Sequence, residues 1–499
     1  RTAFSPNIKE RRDLSCAIFD SEGEMVAQAA HIPVHLGSMP MSVKSAIQHV
    51  PFREGDMVIL NDPFKGGTHL PDITVVAPVF AGRERPVFYV ANRAHHADVG
   101  GMSSGSMPLS TSIFQEGIII PPLKIIEEGK LDEKIMGFLL NNVRTPVERE
   151  GDFLAQFMAN ITGIRRTQEL IQKYTLETVE FYAKGLMDYS EQITRKTIGT
   201  IPDGVYRFED FMDDDGISDH RIKIHVAMTI KGERAVMDFR GSDPQVRGSV
   251  NAVYSITLSA VLYVFRSLVE VDIPTNAGCL RALEVQTAKG SVVDARFPAA
   301  VAGGNVELSQ RIVDVVLGAL SEAIPARIPA ASQGTMNNVT IGGIDPRHGR
   351  PFAYYETIGG GMGATAKSNG ESAVHCHMTN TMNTPVEALE YSCPFLVQEY
   401  SIRRGTGGAG LKQGGDGMVR EIRLLADAEV TVLSERRRYP PYGLFGGGPG
   451  AVGRNVLFRN GKREERPGKF NVTLNKGDTL RIETPGGGGY GGAEKAGDS

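Results

Sequence analysis

The sequence has no tryptophan, only four cysteines and no long apolar run. The missing tryptophan excludes nothing. Cys16, Cys279, Cys376 and Cys393 are widely spaced and form no C-x-x-C pair. That excludes a secreted disulfide framework and points to a reducing, cytoplasmic compartment. No stretch reaches the ~20 apolar residues a membrane helix needs; the run Ile118-Ile119-Ile120 stops at Pro121-Pro122. A net charge of −4 is small for 499 residues, so neither nucleic acid nor a membrane surface is an expected partner. Also missing are an initiator Met and the basic, apolar and small-residue regions of a signal peptide; a segment before Arg1 is expected.

Hydrophobic residues make up 41% and charged residues 22%, the balance of a globular protein, and the length exceeds one ordinary core. Leu14–Phe19 and Met25–Gln28 read as a hairpin about Asp20-Ser21-Glu22-Gly23. Ile73–Phe80 and Val87–Asn92 read as a second, about Ala81–Pro86. From 131 to 200 apolar residues recur at helical spacing, as in Phe153, Phe157, Met158 and Ile161. Strands return at Ile222–Ile230 and Ala235–Phe239, and buried helices are expected over Ser255–Val269 and Gln310–Ile324. The 58 glycines concentrate toward the C-terminus, in Gly359–Gly363, Gly443–Gly450 and Gly486–Gly492. The expected architecture is α+β and multi-domain: mixed antiparallel β-sheets, a central helical block and a glycine-rich β C-terminal part. Its expected units are hairpins over 1–130, helices over 131–200, an α+β domain over 201–340, and a glycine-rich β and loop region over 341–499.

Two segments hold most of the residues that suit a metal. They are Asn61-Asp62-Pro63 through His69-Leu70-Pro71-Asp72, and Asn92-Arg93-Ala94-His95-His96-Ala97-Asp98. Each carries His-x-x-Asp, a spacing that lets both side chains of a turn converge on one cation. If the second hairpin turns near residues 83–84, cross-strand partners sum to about 167, with Cβ atoms ~4.5–5.5 Å apart. Asp72 then lies opposite His95, and His69 folds back over the same point. Two imidazoles and a carboxylate with an open position suit catalytic zinc, manganese or iron. In the first hairpin, partners summing to about 43 put Asp13 beside Ala30 and His31. Asp13 is therefore the candidate fourth ligand, with His31 and His35 in reserve. His96 and Asp98 have the alternative role of orienting the ligands. His375-Cys376-His377 reads as an ordinary strand. Arg436-Arg437-Arg438 reads as a solvated or salt-bridged surface cluster, or as a hold for a carboxylate or phosphate. No Gly-x-x-x-x-Gly-Lys-Ser/Thr occurs and no glycine run opens a credible helix, so those runs read as sharp turns, not a phosphate cradle.

Ser5–Asp13, His31–Met39, Asn61–Asp72, Asn92–Gly101, Asn141–Pro146, Asn383–Glu387 and Thr484–Gly491 make the chain resemble the hydantoinase B, N-methylhydantoinase and 5-oxoprolinase family along nearly its whole length. The resemblance implies the metal-dependent hydrolytic subunit of an ATP-dependent two-component hydrolase acting on a cyclic amide (hydantoin, lactam or 5-oxoproline). A hydantoinase A-type partner would bind ATP and phosphorylate the carbonyl oxygen, and this chain would deliver water. The related acetone carboxylase large subunit and the caprolactam-opening enzyme share that division. Carried over by position, the resemblance places one divalent metal (zinc, manganese or iron) on Asp13, His69, Asp72 and His95. The chemistry agrees: phosphorylation gives a poor electrophile a leaving group, and a metal lowers the pKa of its water to ~7. His96, Asp98 or Glu116 is the expected proton acceptor. Because a phosphorylated amide hydrolyses readily, a stable heterotetramer with two copies of each chain is expected. Gly443–Gly450 and Gly486–Gly492 are the expected part of its interface. Two alternatives stand beside this reading: a carboxylating subunit acting on a ketone, as in acetone carboxylase, and a non-catalytic scaffold.

Overall fold

Two early hairpins seed a seven-stranded sheet, and burial alternates along the first strand, Leu14–Asp20. The computed structural model describes residues 3–29 and 32–492. The strands are β1 (Leu14–Asp20), β2 (Met25–Ala29), β3 (Met57–Leu60), β4 (Asp72–Val79), β5 (Phe88–His95), β6 (Leu123–Glu127) and β7 (Lys130–Leu131), in the order β2-β1-β5-β4-β3-β6-β7. All neighbours are antiparallel. Every residue of β4 and β5 is buried, because helices cover both faces. A single turn, α1 (Pro6–Lys9), leads in, and α2 (His35–His49) packs Met39, Val43 and Ala46 with Val76 and Ala91 on one face. The expected helical block is α3 (Glu133–Leu140), α4 (Pro146–Tyr174) and α5 (Leu176–Ile198). Phe153 and Phe157 of α4 join Ile73, Val75 and Val90 on the other face.

A second sheet, β8 (Gly204–Met212), β9 (Ile222–Lys231), β10 (Arg234–Asp238) and β11 (Leu283–Gln286), runs β11-β10-β9-β8, with β10 and β11 parallel. The two expected buried helices are α6 (Tyr254–Ser267), packed on α2, and α7 (Ser309–Ala323), packed on β8 and β9. One hydrophobic core runs through both sheets and these helices. The C-terminal part adds β12 (Asn338–Asp345), β13 (Arg350–Glu356), α8 (Val386–Ser392), β14 (Phe395–Arg403), β15 (Gly417–Leu424), β16 (Ala428–Leu433), β17 (Arg454–Arg459), β18 (Lys462–Arg466), β19 (Lys469–Leu474) and β20 (Thr479–Glu483). They form the sheets β13-β12-β16-β19 and β14-β15-β20-β17-β18 around a second core. The class is therefore α+β with mainly antiparallel sheets. Among the described residues no helix is long and apolar enough to cross a membrane.

The arginine cluster is salt-bridged, as one reading expected, but most of it lies below the surface. Arg436 is buried between Asp210 (2.7 Å) and Asp314 (2.6 Å), Arg437 donates to Asn337 and Asn455, and only Arg438 is exposed, on Asp219. With carboxylates and amides already engaged, it has no free fork for an anion.

Gly486–Gly489, expected at a subunit interface, packs inside this chain. Gly486–Gly489 is buried and donates, residue by residue, to Ala451, Gly415, Ala331 and Gly448 carbonyls at 2.8–3.1 Å. A Cβ on Gly487 would overlap the Met362 carbonyl, and one on Gly414 the Gly487 carbonyl. In the two runs Phe445, Gly446 and Gly491 take positive φ. Phe445 and Gly446 make a turn, whereas Gly486–Gly489 lies in no strand and packs backbone on backbone. Gly487→Ala is expected to lower the unfolding free energy by about 3 kcal/mol, since backbone cannot yield as a side chain does. Gly185→Ala, on an open face of α5 with nothing within 4 Å, should raise it by about 0.5–1 kcal/mol. Urea titration separates the two; equal effects would show that the layer contributes nothing.

Candidate metal centre

Cross-strand register brings the site together. In β4–β5 Asp72 pairs directly with His95 and Ile73 with Ala94, as the hairpin arithmetic required. On the other side of β5, Leu14 pairs with Ala94, and the His95 N–H donates to the Asp13 carbonyl at 3.1 Å. Asp13, His95 and Asp72 thus stand in one row across three strands. Alternate residues share a face, so Ser15, Thr74 and Arg93 continue that face toward α2. Asp13 reaches the row through β5 and not through its own hairpin. There Cys16 pairs with Ala29 and Ala17 with Gln28, two residues further along β2 than expected. The Asp20 carboxylate accepts from the Glu22 and Glu24 N–H groups and widens the turn, and a bulge follows at Ile18/Phe19. Ala30 and His31 lie outside the described residues.

His69 comes in from the turn before β4, where the Asp72 N–H donates to its carbonyl at 3.1 Å. Its Nε2 is 3.2 Å from His95 Nδ1 and 3.2 Å from Asp72 Oδ1, and the latter two are 3.1 Å apart. Neighbouring ligands on one divalent metal, with bonds of about 2.0–2.2 Å, stand about 3 Å apart, so the donor set fits such an ion. All three side chains are buried. His69 Nδ1–H donates to the Ala302 carbonyl at 3.2 Å, which leaves Nε2 bare, as metal-binding histidines are usually oriented. Asp72 Oδ2 accepts from Thr68 Oγ1 at 2.6 Å and lies 3.5 Å from His35 Nε2; Ser15 Oγ holds His35 Nδ1 at 2.9 Å.

Burial opposes charge on Asp72, yet His69 and the hydrogen bonds from His35, His69 and His95 hold its carboxyl well below the usual range. Burial likewise opposes a charged His69, but Asp72 outweighs it and the pKa rises; for His95 burial prevails and the pKa falls. Behind the row, Arg93 donates to Thr74, Ser38 and Ser42 hydroxyls, and burial pulls its pKa down to about 10.

Two residues with no local signal complete the site. Asn305 Nδ2 is 2.9 Å from His69 Nε2, across 236 positions of chain. The Tyr355 ring stacks on His95 with centroids 4.4 Å apart, backed by the Arg11 guanidinium. With Asp13, His35, Asp72 and His95 they line a cavity of about 20 Å³, room for about one water.

The three residues expected to move a proton are elsewhere. His96 points the other way, onto Phe153, with Nε2 2.8 Å from Gln156 Oε1; burial and the Arg149 charge lower its pKa to about 4. Asp98 is held by the Arg144 N–H and guanidinium at 2.7 and 2.9 Å. Glu116 Oε1 accepts from Ser110 Oγ and the Val301 and Ala302 N–H groups. It therefore braces the peptide whose carbonyl orients His69. His375-Cys376-His377 is not a strand. His377 turns at φ 57° and meets Tyr263, while His375 meets Thr379.

The sequence matches the Hydantoinase B/oxoprolinase family over residues 1–493, and the chain belongs to that family. An uncharacterized protein of Methanocaldococcus jannaschii is 41% identical over 98% of this chain and 86% of its own. 5-Oxoprolinase 1 of Arabidopsis thaliana is 43% identical over 98% of this chain but 40% of its own, so this chain spans less than half of that relative. A protein named as one of the subunits of a D-/L-hydantoinase, from Pseudomonas sp. (strain NS671), is 29% identical over 98% of this chain and 86% of its own. Of solved structures, the ATP-dependent caprolactamase from Pseudomonas jessenii matches with TM-score 0.89 and 29% identity, over 96% of this chain and 85% of its own. Acetone carboxylase matches with TM-score 0.92 over 98% of this chain and 72% of its own; at 18% identity this shows the fold alone.

Glu116 gives a pH test. Burial raises its pKa from 4.5 to about 7. Between those values the folded chain keeps a proton the unfolded chain has lost, so stability falls as pH rises through that window and is level above it. Glu116→Gln keeps the acceptor oxygen and removes the titration. Its stability relative to wild type should rise by on the order of 2 kcal/mol between about pH 5 and about pH 8 in urea unfolding. An unchanged gap would contradict the raised pKa.

Proposed function

We propose that this chain is the metal-bearing, ring-opening part of an ATP-dependent cyclic amide hydrolase. One observation carries the reading: His69 Nε2, His95 Nδ1 and Asp72 Oδ1 converge at 3.1–3.2 Å in a buried site. Family membership supplies the reaction class. A bound divalent metal (zinc, manganese or iron) would supply a water of lowered pKa, ~7, and a Lewis acid for the carbonyl. The chain's own residues hold the site ready. Ala302 fixes the His69 tautomer, Asp72 stays anionic, and Asp13 lines the same cavity, outside the three atoms that converge. Since that cavity holds one water and no ring, substrate entry requires its lining to move. Of the expected proton acceptors, His96 and Asp98 are engaged elsewhere and Glu116 acts through the backbone. Besides His95, the imidazole that lines the cavity is His35.

ATP is assigned to a hydantoinase A-type partner, in a complex with two copies of each chain in the cytoplasm. Three things support a separate ATP-binding partner: a relative that is named as one part of a hydantoinase, the greater length of the oxoprolinase, and the lack of a phosphate-loop motif here. His69→Ala is expected to abolish metal uptake, measured by elemental analysis, with little loss of stability. In complex with its partner, wild type should open a hydantoin, lactam or oxoproline ring with ATP and without bicarbonate. Full metal content in the variant overturns the site, and bicarbonate-dependent ATP use overturns hydrolysis in favour of carboxylation. The isolated chain should turn over no ATP above the level of the His69→Ala variant.

A further inference from the structure

Asn305 sits on the π-helical turn Gly304–Leu308 that leads into α7. Such turns are rare and recur at functional sites. This one is clamped. The Gly303 and Gly304 N–H groups both donate to the Ser249 carbonyl at 2.8 and 3.1 Å, and a Cβ on Gly304 would overlap the Asn251 carbonyl. The Asn305 backbone is therefore fixed, and its side chain moves only about its own bonds. That side chain is 3% exposed. Nδ2 lies 2.9 Å from His69 Nε2 and 3.4 Å from Asp72 Oδ2, whereas Oδ1 is buried with no hydrogen-bond partner.

An unpartnered buried carbonyl is costly, and the amide could exchange its two ends without changing shape. In neutral His69, whose Nδ1–H is held by Ala302, the lone pair on Nε2 accepts the amide N–H and holds the present orientation. A cation claiming that lone pair would remove the acceptor and leave the N–H facing positive charge. Resting on the metal reading above, we propose that Asn305 is a further oxygen ligand, presented by a half-turn of its amide when a divalent cation binds. The exchanged oxygen would stand 2.9 Å from His69 Nε2, the spacing of neighbouring ligands on one ion. Without the cation, the same amide occupies the lone pairs that the cation would take.

The test titrates the metal-free full-length chain with Co²⁺, following affinity by calorimetry and coordination by the visible absorption of the ion. Asn305→Ala should bind roughly 10-fold or more weakly, with a more intense band from fewer ligands. Asn305→Asp keeps the shape and offers only oxygen. It should bind roughly 10-fold or more tightly with a wild-type spectrum. Without cation it should melt below wild type, its carboxylate facing Asp72 with no donor, and Co²⁺ should restore it. This variant carries the test if Asn305→Ala does not fold. Wild-type affinity and spectrum in Asn305→Ala would overturn the proposal. So would equal weakening of both variants, the mark of a mere hydrogen-bond donor. If wild type binds Co²⁺ no better than His69→Ala, the metal reading itself falls, and the proposal with it.

Discussion

The site depends on strand register. Asp72 and His95 face each other because β4 and β5 pair in one alignment and no other, and a slip of one residue would turn either side chain to the opposite face. Two cores enforce that alignment. Val76 and Ala91 fit the core beneath α2, and Ile73, Val75 and Val90 fit the core beneath α4. Neither set can cross the sheet without exposing itself and burying polar groups. Hydrophobic patterning over the strands thus fixes the position of two ionisable groups at their end.

The polar parts of the same face extend this control to distant segments. Arg93 is buried against hydroxyls and not carboxylates. Its donors reach Ser38 and Ser42, so it fixes α2, and α2 starts with His35. Arg11 does the same for the C-terminal part. It donates to the Tyr355 carbonyl at 3.0 Å and to Thr357 Oγ1 at 2.7 Å, which seats β13 so that the Tyr355 ring covers His95. Both arginines carry charge into the interior, yet their hydrogen bonds go to hydroxyls, an amide oxygen and a backbone carbonyl and none to the Asp72 or Asp13 carboxylates.

How much is readable from sequence follows from range. Asp72, His95 and His69 fall within one hairpin and its preceding turn, so spacing and strand alternation locate them. Asp13 emerges from the sequence for the wrong geometric reason. Its row-mate comes from β5, and the Asp20-centred turn that shifts the first hairpin is set by a side-chain hydrogen bond that a residue count does not include. Asn305 and Tyr355 arrive from 236 and 260 residues beyond His69 and His95, and no periodicity points to them. Adjacency misleads at His96 and Asp98. Next to a ligand in sequence means the opposite face in a strand, and there α4 and Arg144 engage them. The glycine runs read as turns because glycine is most often needed for positive φ, whereas here the missing Cβ matters for distance.

That glycine layer also orders events in time. Gly486–Gly489 hydrogen-bonds to segments near residues 331, 415, 448 and 451, all of which leave a ribosome earlier. Until it arrives their carbonyls lack these partners. Proteins are synthesised at about 5–20 residues per second. The C-terminal third therefore waits for several seconds as an open bracket of unpaired backbone, and it closes only when the last glycines thread between the others. β13 and Tyr355, which cover His95, belong to the same C-terminal third.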